Sequence, residues 1–240
     1  MMPAARVVAV GFDLGETLLG YGDVPLSWQS HYRAALERVA DVCGLQASDA
    51  RLDAGERILT RFNTRVHPRT TETTSSEVFG AILNAWQLPV SEHLLSAEEA
   101  YFAFFQRSCS PYADTIATLR QLRERRLPIG ILTDVPYGMP TRLVERDVAH
   151  LDGLIDALVT SVDVGYRKPA PQGYPTLLER LSVEDPDRCL FVGNELKDIE
   201  GANEAGLVSV LIDRGRSGMS CGQQYSIESL TELSEIIDRH

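Results

Sequence analysis

Four polar residues fall at, or just beyond, the ends of short apolar runs. They are Asp13 in "FDLGETLL", Thr133 in "ILTD", Lys168 in "GYRKPAP" and Asp198 in "VGNELKDIEGA". Together they offer a carboxylate that can attack an electrophile, a hydroxyl and an ammonium that can hold an anion, and a second carboxylate for a hard cation. Each signal alone is typical of a helix cap, a turn or a solvated loop. Their order along one chain favours a single site.

Five apolar runs would position these residues. Each run is continuous rather than alternating, which is typical of strands buried on both faces of a parallel sheet. They cover residues 6–12, 127–133, 155–161, 188–193 and 207–212. Helical patterns cover 114–125, 175–181 and 198–206, the last with Gly206 as a C-cap, and 226–238 closes the chain. This alternation predicts a doubly wound, Rossmann-like α/β fold with right-handed crossovers.

The first connection is too long for one crossover helix. Between Gly20 and about Tyr112 the sequence predicts no strand but four helices, over 27–43, 50–66, 75–87 and from a Ser96/Glu99 capping box to Cys109. A crossover needs only one helix, so the surplus should pack as a separate layer. We therefore expect a core of residues 1–20 and 112–240, with a helical cap of 21–111. Such a cap would lie above the ligand crevice of an open α/β sheet.

The composition and net charge limit the classes of binding partner that we expect. The 240-residue chain is 44% hydrophobic and carries a net charge of -11, with 34 Asp and Glu against 23 Lys and Arg. An acidic surface argues against nucleic acid and anionic membranes, but permits a small anion in a locally positive pocket. The four cysteines are widely spaced, no segment is long enough to span a bilayer, and no signal-type cleavage site follows the N-terminus. We expect a reduced, cytoplasmic protein.

The ordered set of motifs resembles the haloacid dehalogenase-like hydrolase superfamily, and the helical insertion is similar to its α-helical cap. The resemblance implies that Asp13 is the nucleophile. It implies that Thr133, with Asp134 beside it, and Lys168 bind the phosphoryl group. It also implies that the fourth motif supplies metal ligands, for which this chain offers Asn194, Glu195 and Asp198.

The chemistry of these residues agrees with that assignment. Attack by the Asp13 carboxylate on phosphorus would form an aspartyl phosphate and divide one hard step into two. An anionic nucleophile approaching a phosphate dianion needs cations. Mg²⁺ shared by Asp13, the carbonyl of Gly15 (by family analogy), Asn194 and Asp198 would supply them, together with the Lys168 ammonium. The predicted function is a magnesium-dependent phosphatase acting on a small phosphorylated metabolite.

Gly15 departs from the family pattern. Phosphatases of this family usually carry Asp two residues after the nucleophile, where it protonates the leaving alcohol and then activates water. Such a group typically contributes 10²–10⁴-fold to the rate. Another acid would have to replace it, Glu16 or His67 of the cap being the candidates. Alternatively the leaving group needs little protonation, as in acyl, aryl or anomeric phosphates.

Two further interpretations remain open. A 2-haloacid dehalogenase also lacks the second Asp, because a departing halide needs no proton, but such enzymes work without metal. Glu195 with Asp198 resembles a metal-binding arrangement and places this alternative second. The third interpretation is a protein that has lost catalysis and acts as a binding or regulatory module. The sequence gives no indication of oligomeric state.

Overall fold

A computed structural model describes residues 6–240 of the chain. Its strands are β1 (Ala9–Phe12), β2 (Leu19–Gly20), β3 (Ser110–Pro111), β4 (Ile129–Thr133), β5 (Ala157–Thr160), β6 (Cys189–Gly193), β7 (Val208–Ile212) and β8 (Tyr225–Ile227). Its helices are α1 (Tyr32–Val42), α2 (Asp49–Phe62), α3 (Ser75–Ala85), α4 (Val90–Gln106), α5 (Thr115–Glu124), α6 (Thr141–Val148), α7 (Ser161–Val164), α8 (Gly173–Arg180), α9 (Leu196–Glu204) and α10 (Leu233–Arg239). No helix in this range is long and apolar enough to cross a membrane.

Six of the strands form one parallel sheet in the order β5-β4-β1-β6-β7-β8. Strands β1, β4, β6 and β7 are buried along their whole length, as expected for strands covered by helices on both faces. The chain order reverses at β1, because β4 and β5 lie on one side of it and β6 to β8 on the other. Open sheets bind ligands at the carboxyl ends of strands beside such a reversal. The doubly wound α/β fold and its five strands are confirmed.

The end of the chain differs from the prediction. Residues 226–238 were expected to form one helix, but Tyr225–Ile227 form β8, which pairs with β7. Ser229 then caps a short 3₁₀ turn that leads into α10. The strand forms because the open edge of β7 offers backbone hydrogen-bonding groups that a local helix would leave without partners. The prediction also missed α6, which separates β4 from β5.

The long connection after β1 is helical, as predicted, and α1 and α4 pack on each other with α2 and α3 alongside. Its core is aromatic: Tyr101, Phe102 and Phe105 of α4 are fully buried, and the rings of Tyr101 and Phe102 contact Phe79 of α3. The expectation of no strand before Tyr112 was wrong in one detail. The two-residue strands β2 and β3 pair antiparallel where the chain leaves and re-enters the α/β region.

The start of α4 was also predicted wrongly. The helix begins at Val90, after Pro89 as the N-cap, and not at a Ser96/Glu99 capping box. The apolar positions of the helix continue on one face through Leu94 and Ala97, so Ser96 lies inside it. The capping box of this region is instead formed by Thr74 and Glu77 at the start of α3.

Candidate active site

The strand register brings the predicted motifs to one edge of the sheet. Phe12 pairs with Val192 of β6, and the Asp13 N–H donates to the Val192 carbonyl at 2.8 Å. Phe12 also pairs with Ile131 of β4, so Thr133 emerges beside Asp13 at the same edge. Both residues line a cavity between the strand ends and the helical layer. Thr133 is buried and closes β4.

Lys168 lies under this cavity between two carboxylates. Its Nζ is 2.5 Å from Asp13 Oδ1 and 2.6 Å from Asp198 Oδ1, and it donates to the Leu132 carbonyl at 3.1 Å. The Asp198 side chain is completely buried, and its Oδ1 makes no contact with hydrogen-bond geometry. This oxygen is therefore paired with the Lys168 ammonium by charge, without a directed hydrogen bond.

Burial and neighbouring charges shift the pKa values of Asp13 and Lys168. Burial raises the pKa of the Asp13 carboxyl to about 6, with Lys168 opposing the shift and Asp198 adding to it. Burial alone would lower the pKa of Lys168, but Asp13 and Asp198 outweigh it and raise that pKa well above its usual value. Lys168 therefore stays cationic, and Asp13 is a carboxylate at pH values above about 6.

The turn from β6 into α9 fixes the position of Asp198. Asp198 Oδ2 accepts hydrogen bonds from the N–H groups of Asn194 at 3.1 Å and Glu195 at 2.9 Å. A Cβ atom on Gly193 would lie 2.3 Å from the Asp198 Cβ, so only glycine lets this side chain fold back against the strand end. The Asn194 Oδ1 accepts from Thr17 Oγ1 at 3.2 Å.

A ring of ion pairs borders the cavity. Asp134 Oδ1 accepts from the Lys168 N–H at 2.9 Å, and Asp134 Oδ2 is 2.9 Å from Lys197 Nζ. Glu195 is paired with Lys197 at 3.1 Å and with Arg65 of the helical layer at 2.5 Å. Burial would raise the pKa of Glu195, but Arg65 and Lys197 lower it to about 2. Glu195 is thus an anion held by two cations.

Three predicted residues have distinct surroundings. Gly15 lies beside Asp13 at the cavity, and an added Cβ would meet only Tyr21 Cε2, at 3.7 Å. Glu16 also lines the cavity, but its carboxylate accepts a hydrogen bond of 2.5 Å from the Tyr112 hydroxyl. His67 is exposed and is not among the cavity-lining residues. The structure therefore does not bring His67 to the other site residues.

Sequence reasoning missed several groups that line the cavity. Lys197 and Arg167 were overlooked, although each stands next in sequence to a predicted site position. The pair of half-buried Tyr21 and buried Asp147 was also missed, with the Tyr21 hydroxyl donating to Asp147 Oδ2 at 2.9 Å. These two residues lie 126 positions apart, and no local pattern links them.

The donor set fits a hard divalent cation with few protein ligands. Within residues 6–240 no group of three or more His, Cys, Asp or Glu side chains is arranged to hold a metal ion. The candidate ligands are instead two carboxylates, on Asp13 and Asp198, with the Asn194 amide and a main-chain carbonyl. Mg²⁺ favours one or two carboxylates and keeps several waters. Asp198 Oδ1, a buried anionic oxygen without a directed hydrogen bond, supports this fit.

Comparison with known proteins identifies the family. Residues 7–206 match the model described as haloacid dehalogenase-like hydrolase, a range that includes all four motifs. The chain therefore belongs to the haloacid dehalogenase-like hydrolases, and the resemblance drawn from its motifs is confirmed.

Curated relatives share sequence similarity with this chain, some over about half of its length and one over most of it. A glyceraldehyde 3-phosphate phosphatase from Methanopyrus kandleri is 33% identical over 129 residues, which are 53% of this chain and 52% of the relative. A phosphatase from Mycobacterium tuberculosis is 32% identical over 138 residues, covering 58% and 59%. The matches thus span little more than half the length of these relatives. A phosphoserine phosphatase from Thermus thermophilus is 29% identical over 229 residues, covering 85% and 87%.

Solved structures share the complete fold. A phosphatase of the same superfamily from Thermococcus onnurineus superposes with a TM-score of 0.63 at 26% identity, covering 95% of this chain and 97% of that one. A 2-haloacid dehalogenase from Pseudomonas syringae superposes with a TM-score of 0.68 at 21% identity, covering 97% and 99%. The second likeness concerns the fold alone.

Proposed function

We propose that this protein is a magnesium-dependent phosphatase that hydrolyses a small phosphorylated metabolite through an aspartyl phosphate on Asp13. The observation that carries the proposal is the placement of Lys168 Nζ between Asp13 and Asp198, at 2.5 and 2.6 Å, beneath a cavity that Thr133 also lines. The phosphatase names of the curated relatives support the same reaction.

Asp13 carries the covalent step. One oxygen of its carboxylate attacks phosphorus, the bond to the leaving oxygen breaks, and the phosphoryl group remains on Asp13 until water attacks it. Lys168 offsets the negative charge that gathers between Asp13 and the phosphoryl oxygens, and the Thr133 hydroxyl donates to one of those oxygens. The buried position of these groups strengthens both interactions, since they are screened little by water.

Asp13, the Gly15 carbonyl, Asn194 and Asp198 are the groups that would hold Mg²⁺. Bound there, Mg²⁺ would supply positive charge beside the transferred phosphoryl group. Glu195 is a weaker candidate ligand because Arg65 and Lys197 already neutralise it. Asp134 is likewise engaged by Lys197, so we assign it the role of positioning the Lys168 backbone and completing the phosphate-binding edge.

We further propose that residues 21–111 act as a cap on a core formed by 1–20 and 112–240; residues 1–5 of that core lie outside the described range. The two parts meet at the Arg65–Glu195 ion pair over the cavity. They also meet where Thr71 and Tyr166 form an antiparallel bridge and buried Glu72 pairs with Arg167. A cap held at these points would select substrates by the shape of the enclosed space.

One assay distinguishes the proposal from its alternatives. Release of phosphate from p-nitrophenyl phosphate is measured with Mg²⁺, with chelator, and with Asp13→Asn, beside halide release from 2-chloropropionate. We expect phosphate release that requires both Mg²⁺ and Asp13. Metal-independent halide release would instead assign the chain to the dehalogenases. Absence of both reactions in folded protein that still binds Mg²⁺ would favour a binding role.

A further inference from the structure

One wall of the cavity is aromatic. The Trp28 indole stacks on the Phe105 ring, with centroids 3.8 Å apart and planes inclined by 11°, and the Tyr137 ring lies 5.7 Å from Trp28. All three residues line the same cavity as Asp13. Phe105 and Tyr137 are buried and Trp28 is half-buried, so the wall is fixed by packing. Apolar groups gain free energy by leaving water for such a surface.

One polar atom of this wall, the Tyr137 hydroxyl, is already engaged. The Tyr137 hydroxyl is hydrogen-bonded to the Tyr32 hydroxyl, which in turn accepts from Asn63 at 2.7 Å. Tyr137 therefore presents its ring, and not its hydroxyl, to the cavity. Residues 27–32 and α4 contribute one side of the wall, and the turn after β4 contributes the other.

Each cation that lines the cavity is already paired with a carboxylate. Arg65 is paired with Glu195, Lys197 with Asp134, and Arg167 with Glu72. Within residues 6–240 these three are the Lys and Arg residues of the cavity lining. A second phosphate or a carboxylate on the substrate would have to compete with these carboxylates for one of the three cations.

A buried carboxyl group in the cavity also disfavours a second anionic group on the substrate. Asp147 lines the cavity, is only 3% exposed, and accepts a hydrogen bond from Tyr21. Burial raises the pKa of Asp147. In either protonation state it offers no positive charge to an anionic substituent, and as a carboxylate it repels one.

We propose that the substrate is the phosphate monoester of an uncharged aromatic or comparably apolar alcohol, and not a bisphosphate, a pyrophosphate or a carboxylated phosphoester. The inference rests on the phosphatase activity proposed above. The phosphoryl group would bind at the floor beside Lys168, a second anionic group would face cations that carboxylates already neutralise, and the aromatic wall is available to an apolar substituent.

The test compares three alkyl monoesters, so that the absent acid at Gly15 affects all of them alike. They are 2-phenylethyl phosphate, glycerol 1-phosphate and 3-phosphoglycerate, assayed for kcat/KM with Mg²⁺. We expect 2-phenylethyl phosphate to exceed glycerol 1-phosphate by about 10- to 100-fold, since the phenyl group is buried on the wall. We expect 3-phosphoglycerate to be the poorest. An equal or better rate for glycerol 1-phosphate or 3-phosphoglycerate would overturn the inference.

Substitutions in the aromatic wall test whether the wall causes the preference for 2-phenylethyl phosphate. Trp28→Ala should lower kcat/KM for 2-phenylethyl phosphate about tenfold, chiefly through KM, and lower it much less for glycerol 1-phosphate. Trp28→Phe should retain most of the preference. Leu95→Ala is the matched control, at a position of α4 that is 67% exposed. It should change kcat/KM for neither substrate. Equal losses on both esters in Trp28→Ala would exclude contact with the wall.

The outcomes separate this inference from the proposed function. Asp13-dependent hydrolysis of p-nitrophenyl phosphate without a preference for 2-phenylethyl phosphate would overturn the substrate class and leave the phosphatase standing. No phosphate release from any ester, including p-nitrophenyl phosphate, would overturn both.

Discussion

Lys168 Nζ and Asp13 Oδ1 lie 2.5 Å apart, with the two side chains only 2% and 12% exposed. The same ammonium also contacts Asp198, so one cation holds two carboxylates that would otherwise repel each other beneath the cavity. The structural role of Lys168 and the chemical role that we propose for it therefore rest on the same two contacts. Removal of its charge should be visible in both stability and activity.

Lys168→Met should lower phosphatase activity by at least about 10²-fold. It should also destabilise the fold by about 3 kcal/mol in chelator, because two buried carboxylates lose their partner. Mg²⁺ should restore part of that stability, since it neutralises the same carboxylates. Activity assays and urea unfolding with and without Mg²⁺ check these effects.

Lys197→Met is the matched control for stability. Lys197 is paired with Asp134 and Glu195, but its side chain is 28% exposed, so a smaller loss is expected. If the two variants unfold at the same urea concentration in chelator, Lys168 is not the residue that offsets the buried charge.

The rate should depend strongly on the leaving group. Gly15 offers no proton to the departing oxygen, and Glu16 is engaged by Tyr112. We expect p-nitrophenyl phosphate to react much faster than phenyl phosphate, and phenyl phosphate faster than 2-phenylethyl phosphate. The fold-changes should approach the 10²–10⁴ that a positioned acid contributes. Similar kcat/KM values across this series would reveal a general acid elsewhere in the cavity.

Gly15→Asp should speed hydrolysis of alkyl phosphates by about tenfold or more, while aryl phosphates change little. The site has room for the side chain, because an added Cβ approaches only Tyr21, at 3.7 Å. Gly15→Asn matches its size but cannot deliver a proton, and should give no increase. A well-folded Gly15→Asp protein with unchanged alkyl phosphate turnover would contradict the role assigned to this position.

Asp134 should make the free energy of unfolding depend on pH in the acidic range. Burial opposes its ionisation, but Lys197, Arg167 and Lys168 lower its pKa from 3.8 to about 2. Because the pKa of Asp134 is lower in the folded state than in the unfolded state, the ionised carboxylate stabilises the fold by about 2 kcal/mol at pH values above the unfolded-state pKa. This stabilisation is lost as the pH falls from about 4 to 2. Urea unfolding of wild type and Asp134→Asn should therefore converge as the pH is lowered from 5 to 2. A difference that stays constant would show that the ionised carboxylate is not the stabilising species.

The sequence was sufficient to predict those features that depend on local pattern. Continuous apolar runs indicated the buried strands, and the polar residue after each run marked the edge where Asp13, Thr133 and Asp198 meet. Gly206 takes the left-handed conformation expected of a C-cap, with φ of 79°. The long helical connection followed from its length and its lack of strand patterns.

Features that depend on tertiary pairing could not be predicted. β8 forms only because β7 offers an open edge, and the helical pattern of 226–238 gave no sign of that partner. The Tyr21–Asp147 pair joins distant positions around the cavity. Trp28 and Phe105 pack on each other, and they also line the cavity. Sequence periodicity identifies a buried face but not the empty space beside it.

The most direct measurement is chemical trapping of the intermediate on Asp13. The protein is mixed with p-nitrophenyl phosphate and Mg²⁺, quenched in acid, and reduced with borohydride, which converts an aspartyl phosphate into homoserine. Peptide mass spectrometry should find homoserine at position 13 only when substrate was present, and Asp13→Asn should abolish it together with turnover. Homoserine at another carboxylate, or continued turnover by Asp13→Asn, would contradict the assignment of Asp13 as the nucleophile.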